Sequence, residues 1–210
     1  MVTDLDKFED ELNWLIHRYM ILKMTFNAVF AVSEVSKETD ALHRYGDFIG
    51  FAQGIMMDDL LLTLSKLLID SKGSVSIPRI IHLAIQIFTP EYDRNTRYSK
   101  YKKYGELKAI LMNMDSDMHS FSNLIDRIRT VRDQELAHWD KKVDTYEKRE
   151  SLYQDNPIAL ADVIHLIDFI GETLQNIKAI VLGKYPRMEI REYERELRQI
   201  AEAIESSTAD

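Results

Sequence analysis

Between Ile128 and Trp139 the chain places ionisable side chains where a helix should be apolar. At about 100° per residue, Phe121, Leu124, Ile125, Val131, Leu136 and Trp139 fall with Ile128 within an arc as wide as an ordinary buried helix face. Arg132 and Glu135 lie inside that arc and His138 lies at its edge. Burying such groups without partners costs on the order of several kcal/mol per charge. They must therefore satisfy one another or line something polar. The first alternative is an i,i+3 ion pair between Arg132 and Glu135, with His138 a satisfied histidine near the helix end. The second is a chemical site. Glu135-x-x-His138 has the spacing found in helical di-iron carboxylate bundles, and Asp162-x-x-His165 and Asp40-x-x-His43 are looser echoes. Such a centre needs two of these pairs plus glutamates from two further helices, which the sequence does not offer. No metal and no other cofactor is expected.

Other groups carry weaker signals. Tyr92, Arg94, Arg97, Tyr98, Lys100, Tyr101, Lys102, Lys103 and Tyr104 interleave cations with aromatics, a pattern able to track and stack a single nucleic-acid strand. The favoured alternative is a solvated loop whose tyrosines pack on the protein. Arg127 and Arg129 are placed to contact phosphate, or are surface charges balanced by Asp126. Asp58 and Asp59 interrupt an apolar helix face, as a paired interior acid would. His17, His82, His119 and His165 have no partner legible in the sequence.

The elements that must position these groups are helices. Apolar residues at Leu5, Phe8, Leu12, Leu15, Tyr19, Leu22, Phe26 and Val29, in steps of three and four, predict one long amphipathic helix broken in the cluster Ser33 to Thr39. A second long helix carries Phe48, Ala52, Ile55, Leu62 and Leu67 and ends near Asp70, followed by a loop at Ser71 to Ser74. Ile77-Pro78 opens a short apolar helix through Phe88, and Pro90 to Gly105 reads as irregular. Helix returns from Glu106 to Met112 and from Ser116 or Asp117 to about Trp139. Asn156-Pro157 reads as the start of a helix that Gly183 stops. A charged helix with Ile190, Tyr193, Leu197, Ile200 and Ile204 follows Pro186.

Composition agrees with an all-α class. Apolar residues make up 45% of 210, enough for a sizeable core, and four prolines with seven glycines are too few for a turn-rich sheet protein. The absence of cysteine fits a reducing compartment. Met1 to Asp10 carries four acids and no apolar run, unlike a signal peptide. Asp58, Asp59 and Lys66 interrupt the most hydrophobic stretch, Phe48 to Ile69, as a bilayer-spanning helix rarely tolerates. A cytoplasmic protein with no membrane partner is expected. A net charge of -8 argues against general coating of nucleic acid but leaves room for a small basic pocket.

The phrase IRTVRDQELAHWD, with Arg132-Asp133-Gln134-Glu135-Leu136-Ala137-His138 at its centre, resembles the signature of the HEPN superfamily. That signature is an arginine, a polar residue, and a histidine near a helix C-terminus. It looks like the abortive-infection U-type branch in particular, as does LLLTLSKLLIDSKGSVSIPRII, Leu60 to Ile81, with its helix ending in an aspartate. The resemblance implies a helical bundle of four long helices and a short one over residues 1–183, with 184–210 as an appended C-terminal helix and tail. It also implies a metal-independent endoribonuclease serving as a toxin or phage-defence effector, with RNA as substrate. The 2′-OH attacks the adjacent phosphate, with His138 as acid or base, Arg132 stabilising charge, Asp133 orienting, and Arg127 and Arg129 near the substrate. On a straight helix Arg132 and His138 stand roughly 9 Å apart in rise and about 120° apart in direction. Two copies across a twofold axis would resolve that separation, and a homodimer is implied. A cognate antitoxin such as a nucleotidyltransferase is a further partner the resemblance implies. Glu135 would repel phosphate beside Arg132. The alternative is a non-catalytic RNA- or protein-binding module of the same fold.

Overall fold

The computed structural model describes residues 4–69, 73–95, 103–136 and 145–207. His138, Asp70 and most of the tyrosine-rich stretch lie outside them. Among the described residues there are nine α-helices and no strand, so the chain is all-α. They are α1 (Asp4–Glu38), α2 (Gly46–Leu68), α3 (Ile77–Ile87), α4 (Pro90–Asn95), α5 (Tyr104–Ser120), α6 (Ser122–Val131), α7 (Tyr146–Asp155), α8 (Leu160–Ile177) and α9 (Glu194–Ser206). A 3-10 turn, Leu42–Tyr45, precedes α2, and π turns extend α6 through Arg132–Leu136 and α8 through Lys178–Leu182.

The chain forms two compact units. The first holds residues 1–19 and 64–188. Here the apolar stripe predicted for α1 is buried at Phe8, Leu12, Leu15 and Tyr19, and the last turns of α2 bury Leu64, Leu67 and Leu68. α3 has Ser76 as its N-cap, accepting from the Arg79 amide, and a proline in its first turn. It buries Ile77, Ile80, Ile81 and Ala84 and packs on α5 and α8. α8 contributes Leu166, Ile167, Ile170, Leu174 and Ile177, and Gly183, at φ 60°, ends its π turn in the left-handed region that favours glycine.

The second unit holds residues 20–63 and 189–210. Val35, Ala41, Leu42 and Ala201 form its core, with Ile49, Leu197 and Ile204 against them. The Arg198–Glu38 ion pair and a hydrogen bond from Thr39 to Glu205 tie α9 to the end of α1. Along the first half of α2, Phe48, Phe51 and Ile55 are exposed, and a Cβ added at Gly46, Gly50 or Gly54 would meet nothing. By length and composition alone, Leu42–Leu68 is long and apolar enough to cross a membrane. Its sequence is nevertheless interrupted by Asp47, Asp58, Asp59 and Lys66.

α1 ends at Glu38, inside the cluster Ser33 to Thr39 where the sequence places its break; Ser33 bonds back to the Val29 carbonyl, Lys37 pairs with Glu34, and Val35 finds a core. Several other boundaries differ from the sequence reading, each for a local reason. Pro90 to Gly105 is not wholly irregular: α4 occupies Pro90–Asn95, with Thr89 Oγ1 accepting from the Tyr92 amide. The break expected near Met112 to Ser116 falls instead at Phe121, whose ring packs on Phe169 at 5.2 Å. Asn156 does not open α8. It closes α7, its side-chain amide donating to the Leu152 carbonyl, and α8 begins at Leu160. α7 itself carries no apolar period and was not read from the sequence.

One close approach in the first unit is testable. A Cβ on Gly171 would collide with the Tyr19 ring and hydroxyl, so Gly171→Ala should destabilise the fold by about 1–3 kcal/mol in a denaturant titration. Burial, then the charges of Asp168 and Glu172, push the Tyr19 phenol from 10.0 up to about 12. The folded state therefore holds this proton more tightly than the unfolded one. The stability linked to it is fully present below pH 10 and lost as pH rises towards 12. Tyr19→Phe should lack that part of the alkaline loss, measured as unfolding free energy against pH.

Candidate functional site

The Arg132 site is built where α6 ends. α6 buries Leu124, Ile125, Ile128 and Val131, the face the helical wheel predicts, and this fixes which way the next turn points. From Arg132 to Leu136 the backbone changes to a π turn. A π turn takes i to i+5 hydrogen bonds, so side-chain directions shift from those of an α-helix. The 120° separation reckoned for a straight helix does not carry across it.

Arg132 lies half-buried, its side chain 22% exposed. Its Nε donates to Asp133 Oδ1 at 2.6 Å and Nη2 reaches the same oxygen at 2.5 Å. Nη1 donates to Ser65 Oγ at 2.8 Å. Ser65, in the last turns of α2, is fully buried. Of the five N–H groups of a guanidinium, these contacts use three, leaving one on each terminal nitrogen without a partner among the described residues.

Glu135 does not pair with Arg132. Its side chain is 11% exposed, and its Oε1 is paired with Nε of Arg149 from α7. Its Oε2 is buried and has no hydrogen-bond partner among the described residues. The i,i+3 ion pair offered by the sequence is thus replaced by two separate arrangements. Arg132 is held by Ser65 and Asp133, and Glu135 is turned to α7. The four charges Arg132, Asp133, Glu135 and Arg149 balance. Beside them a cavity of about 370 Å³ is lined by Gln134, Glu147, Lys148, Ser151, Leu152, Asp155 and Asn156.

The remaining sequence candidates are placed as follows. Arg129 pairs with Asp126 at 3.1 Å. Arg127 donates from Nη1 to the Pro157 carbonyl at 2.7 Å and stands 3.9 Å from Asp162, bracing the approach to α8. Asp133 contacts Arg132 directly. Tyr92 donates to the Val181 carbonyl at 2.6 Å, and Tyr104 stacks on Phe88 at 5.4 Å. Both tyrosines therefore pack on the protein; Arg97, Tyr98, Lys100, Tyr101 and Lys102 lie outside the described residues. Among the described residues no three His, Asp or Glu side chains stand close enough to hold a metal ion. His82 pairs with Asp115 at 3.0 Å, and a His43 ring nitrogen stands 3.0 Å from the Ser36 carbonyl oxygen.

Sequence reasoning missed Ser65 and Arg149. Ser65 was within reach: it is a hydroxyl on the same helix face as Leu61, Leu64 and Leu68, the same anomaly that exposed Arg132. Arg149 gave no signal, because α7 reads as polar throughout. Removing the Ser65 hydroxyl leaves an Arg132 N–H without its buried acceptor, and Ser65→Ala should cost about 1–3 kcal/mol of stability in urea unfolding.

No curated protein and no solved structure matches the chain. A family model described as AbiU2, one of the HEPN families, matches residues 4–203. That span contains Ser65, the π turn and α7, and the sequence resemblance had pointed to the same branch from Arg132 and its surroundings. The chain belongs to the AbiU2 family of the HEPN superfamily, whose abortive-infection character it shares.

Proposed function

We propose that this protein is a metal-independent endoribonuclease that acts in the cytoplasm as a toxin or phage-defence effector. The observation that supports it most is the state of Arg132. A guanidinium sealed against Glu135 would be a structural pair. Here it is fixed by Ser65 and Asp133, partly exposed, with two N–H groups that no other described residue takes.

In the proposed reaction the ribose 2′-OH attacks the adjacent phosphorus and the bond from phosphorus to the 5′ oxygen breaks. The products are a 2′,3′-cyclic phosphate and a 5′-OH. The 2′-OH gives up its proton to a base and the leaving oxygen gains one from an acid. His138 serves in one of these roles, since an imidazole changes charge near neutrality. Arg132 receives the growing negative charge on the phosphate oxygens. Asp133 holds the guanidinium in plane, and Arg127 and Arg129 flank the substrate. The working unit is a homodimer in which Arg132 and His138 of different copies share one phosphate, held in check by a cognate antitoxin such as a nucleotidyltransferase.

A non-catalytic RNA- or protein-binding module is the second reading. It is favoured by the pairing of Arg127, Arg129 and Arg149 with acids, which leaves little net positive charge at the site.

Labelled RNA in excess EDTA separates the two. Wild type should cleave it to cyclic-phosphate ends. Arg132→Ala should lose about 10²–10³-fold in rate and His138→Ala about 10²–10⁴-fold. Equal background from all three proteins would leave the module.

A further inference from the structure

We infer that Arg149 is a positioning residue of the Arg132 site, acting by holding the Glu135 carboxylate away from the guanidinium. This rests on the ribonuclease reading and names a residue which that reading does not contain.

The argument is one of competing anions. Glu135 follows Arg132 by three residues on one π turn, and its carboxylate is nearly buried. A carboxylate so placed seeks a cation, since leaving one unpaired and desolvated is strongly unfavourable. Among the described residues, Arg132 is close along the chain, with two N–H groups that have no partner there, and Arg149 is close in space. In the structure Arg149 takes it. Its side chain is 53% exposed, so it reaches in from solvent over the π turn rather than being built into the core. The second oxygen of Glu135 has no partner among the described residues, so the carboxylate keeps capacity for another donor.

Without Arg149 that carboxylate can turn to the N–H groups of Arg132, three residues before it on the same π turn. Those are the groups a substrate phosphate needs. Phosphate would then have to displace Glu135 as well as meet the charge of Asp133, and the local balance would fall from zero to minus one. The effect is on anion binding more than on proton transfer, because neither Glu135 nor Arg149 touches the reacting atoms in this scheme. Lysine supplies the charge without the planar fork and is an incomplete substitute.

The test uses full-length protein, labelled RNA for cleavage, and a non-cleavable 2′-O-methyl RNA of the same sequence for binding. Arg149→Ala should raise both KM and the Kd for the methylated RNA about tenfold, with kcat changed less than threefold. Glu135→Gln should bind as well as wild type or better. The double variant Arg149→Ala with Glu135→Gln should return KM and Kd to within about twofold of wild type, and Arg149→Lys should fall between. Melting temperatures recorded alongside separate stability from binding, and all assays are run well below the lowest of them. A lower melting temperature with KM and Kd unmoved overturns the inference and leaves the ribonuclease reading intact. So does a double variant no better than Arg149→Ala. Wild type that neither cleaves nor binds RNA overturns both.

Discussion

A guanidinium drawn halfway out of water needs acceptors arranged in its own plane, and they cannot be supplied by one helix alone. At Arg132 they come from two places. Asp133 is next in sequence, and Ser65 is 67 residues earlier, at the far end of α2. The Ser65 contact is a demand on the whole first unit. It brings the end of α2, where Leu64, Leu67 and Leu68 are buried, to the residue that follows α6, where Ile128 and Val131 are buried. A single buried hydroxyl among leucines thus helps fix the orientation of a charged group.

The change from α to π geometry belongs to the same constraint. A helix continuing regularly from Val131 would keep Glu135 directly above Arg132, as i,i+3 neighbours are. The wider turn lets the two side chains take different partners, one towards α2 and one towards α7. Local rules and tertiary demands disagree here. Such disagreement is what a site under functional constraint tends to show.

The sequence made the helical class, the first long helix, the buried face of α6 and the stop at Gly183 readable, because each rests on a periodic or local signal. Arg132, Glu135 and their neighbours were legible as an anomaly: charge on an apolar arc. Which partner each charge takes was not, since Arg132 had Asp133, Glu135 and the unseen Ser65 to choose from, and the wheel assumed a regular helix. α7 was invisible for a different reason. It has scarcely any apolar stripe and is held by a threonine cap, by Leu152 and by Arg149's reach to Glu135. The start of α8 was misplaced because Asn156 makes a good cap for either of two helices, and the three-dimensional packing of Leu152 chose the earlier one.

The row of glycines on α2 has a consequence for Ser65. Each glycine weakens a helix by about 1 kcal/mol relative to alanine, and at Gly46, Gly50 and Gly54 no neighbouring atom makes use of the missing side chain. Further along the same helix, Leu60, Leu61, Leu64, Leu67 and Leu68 are all buried. The helix is therefore graded along its length. Deuterium uptake should run inward from the glycine end and stall at the leucines, so that the serine gripping Arg132 stays put through openings that turn the first coils of its own helix into loose chain.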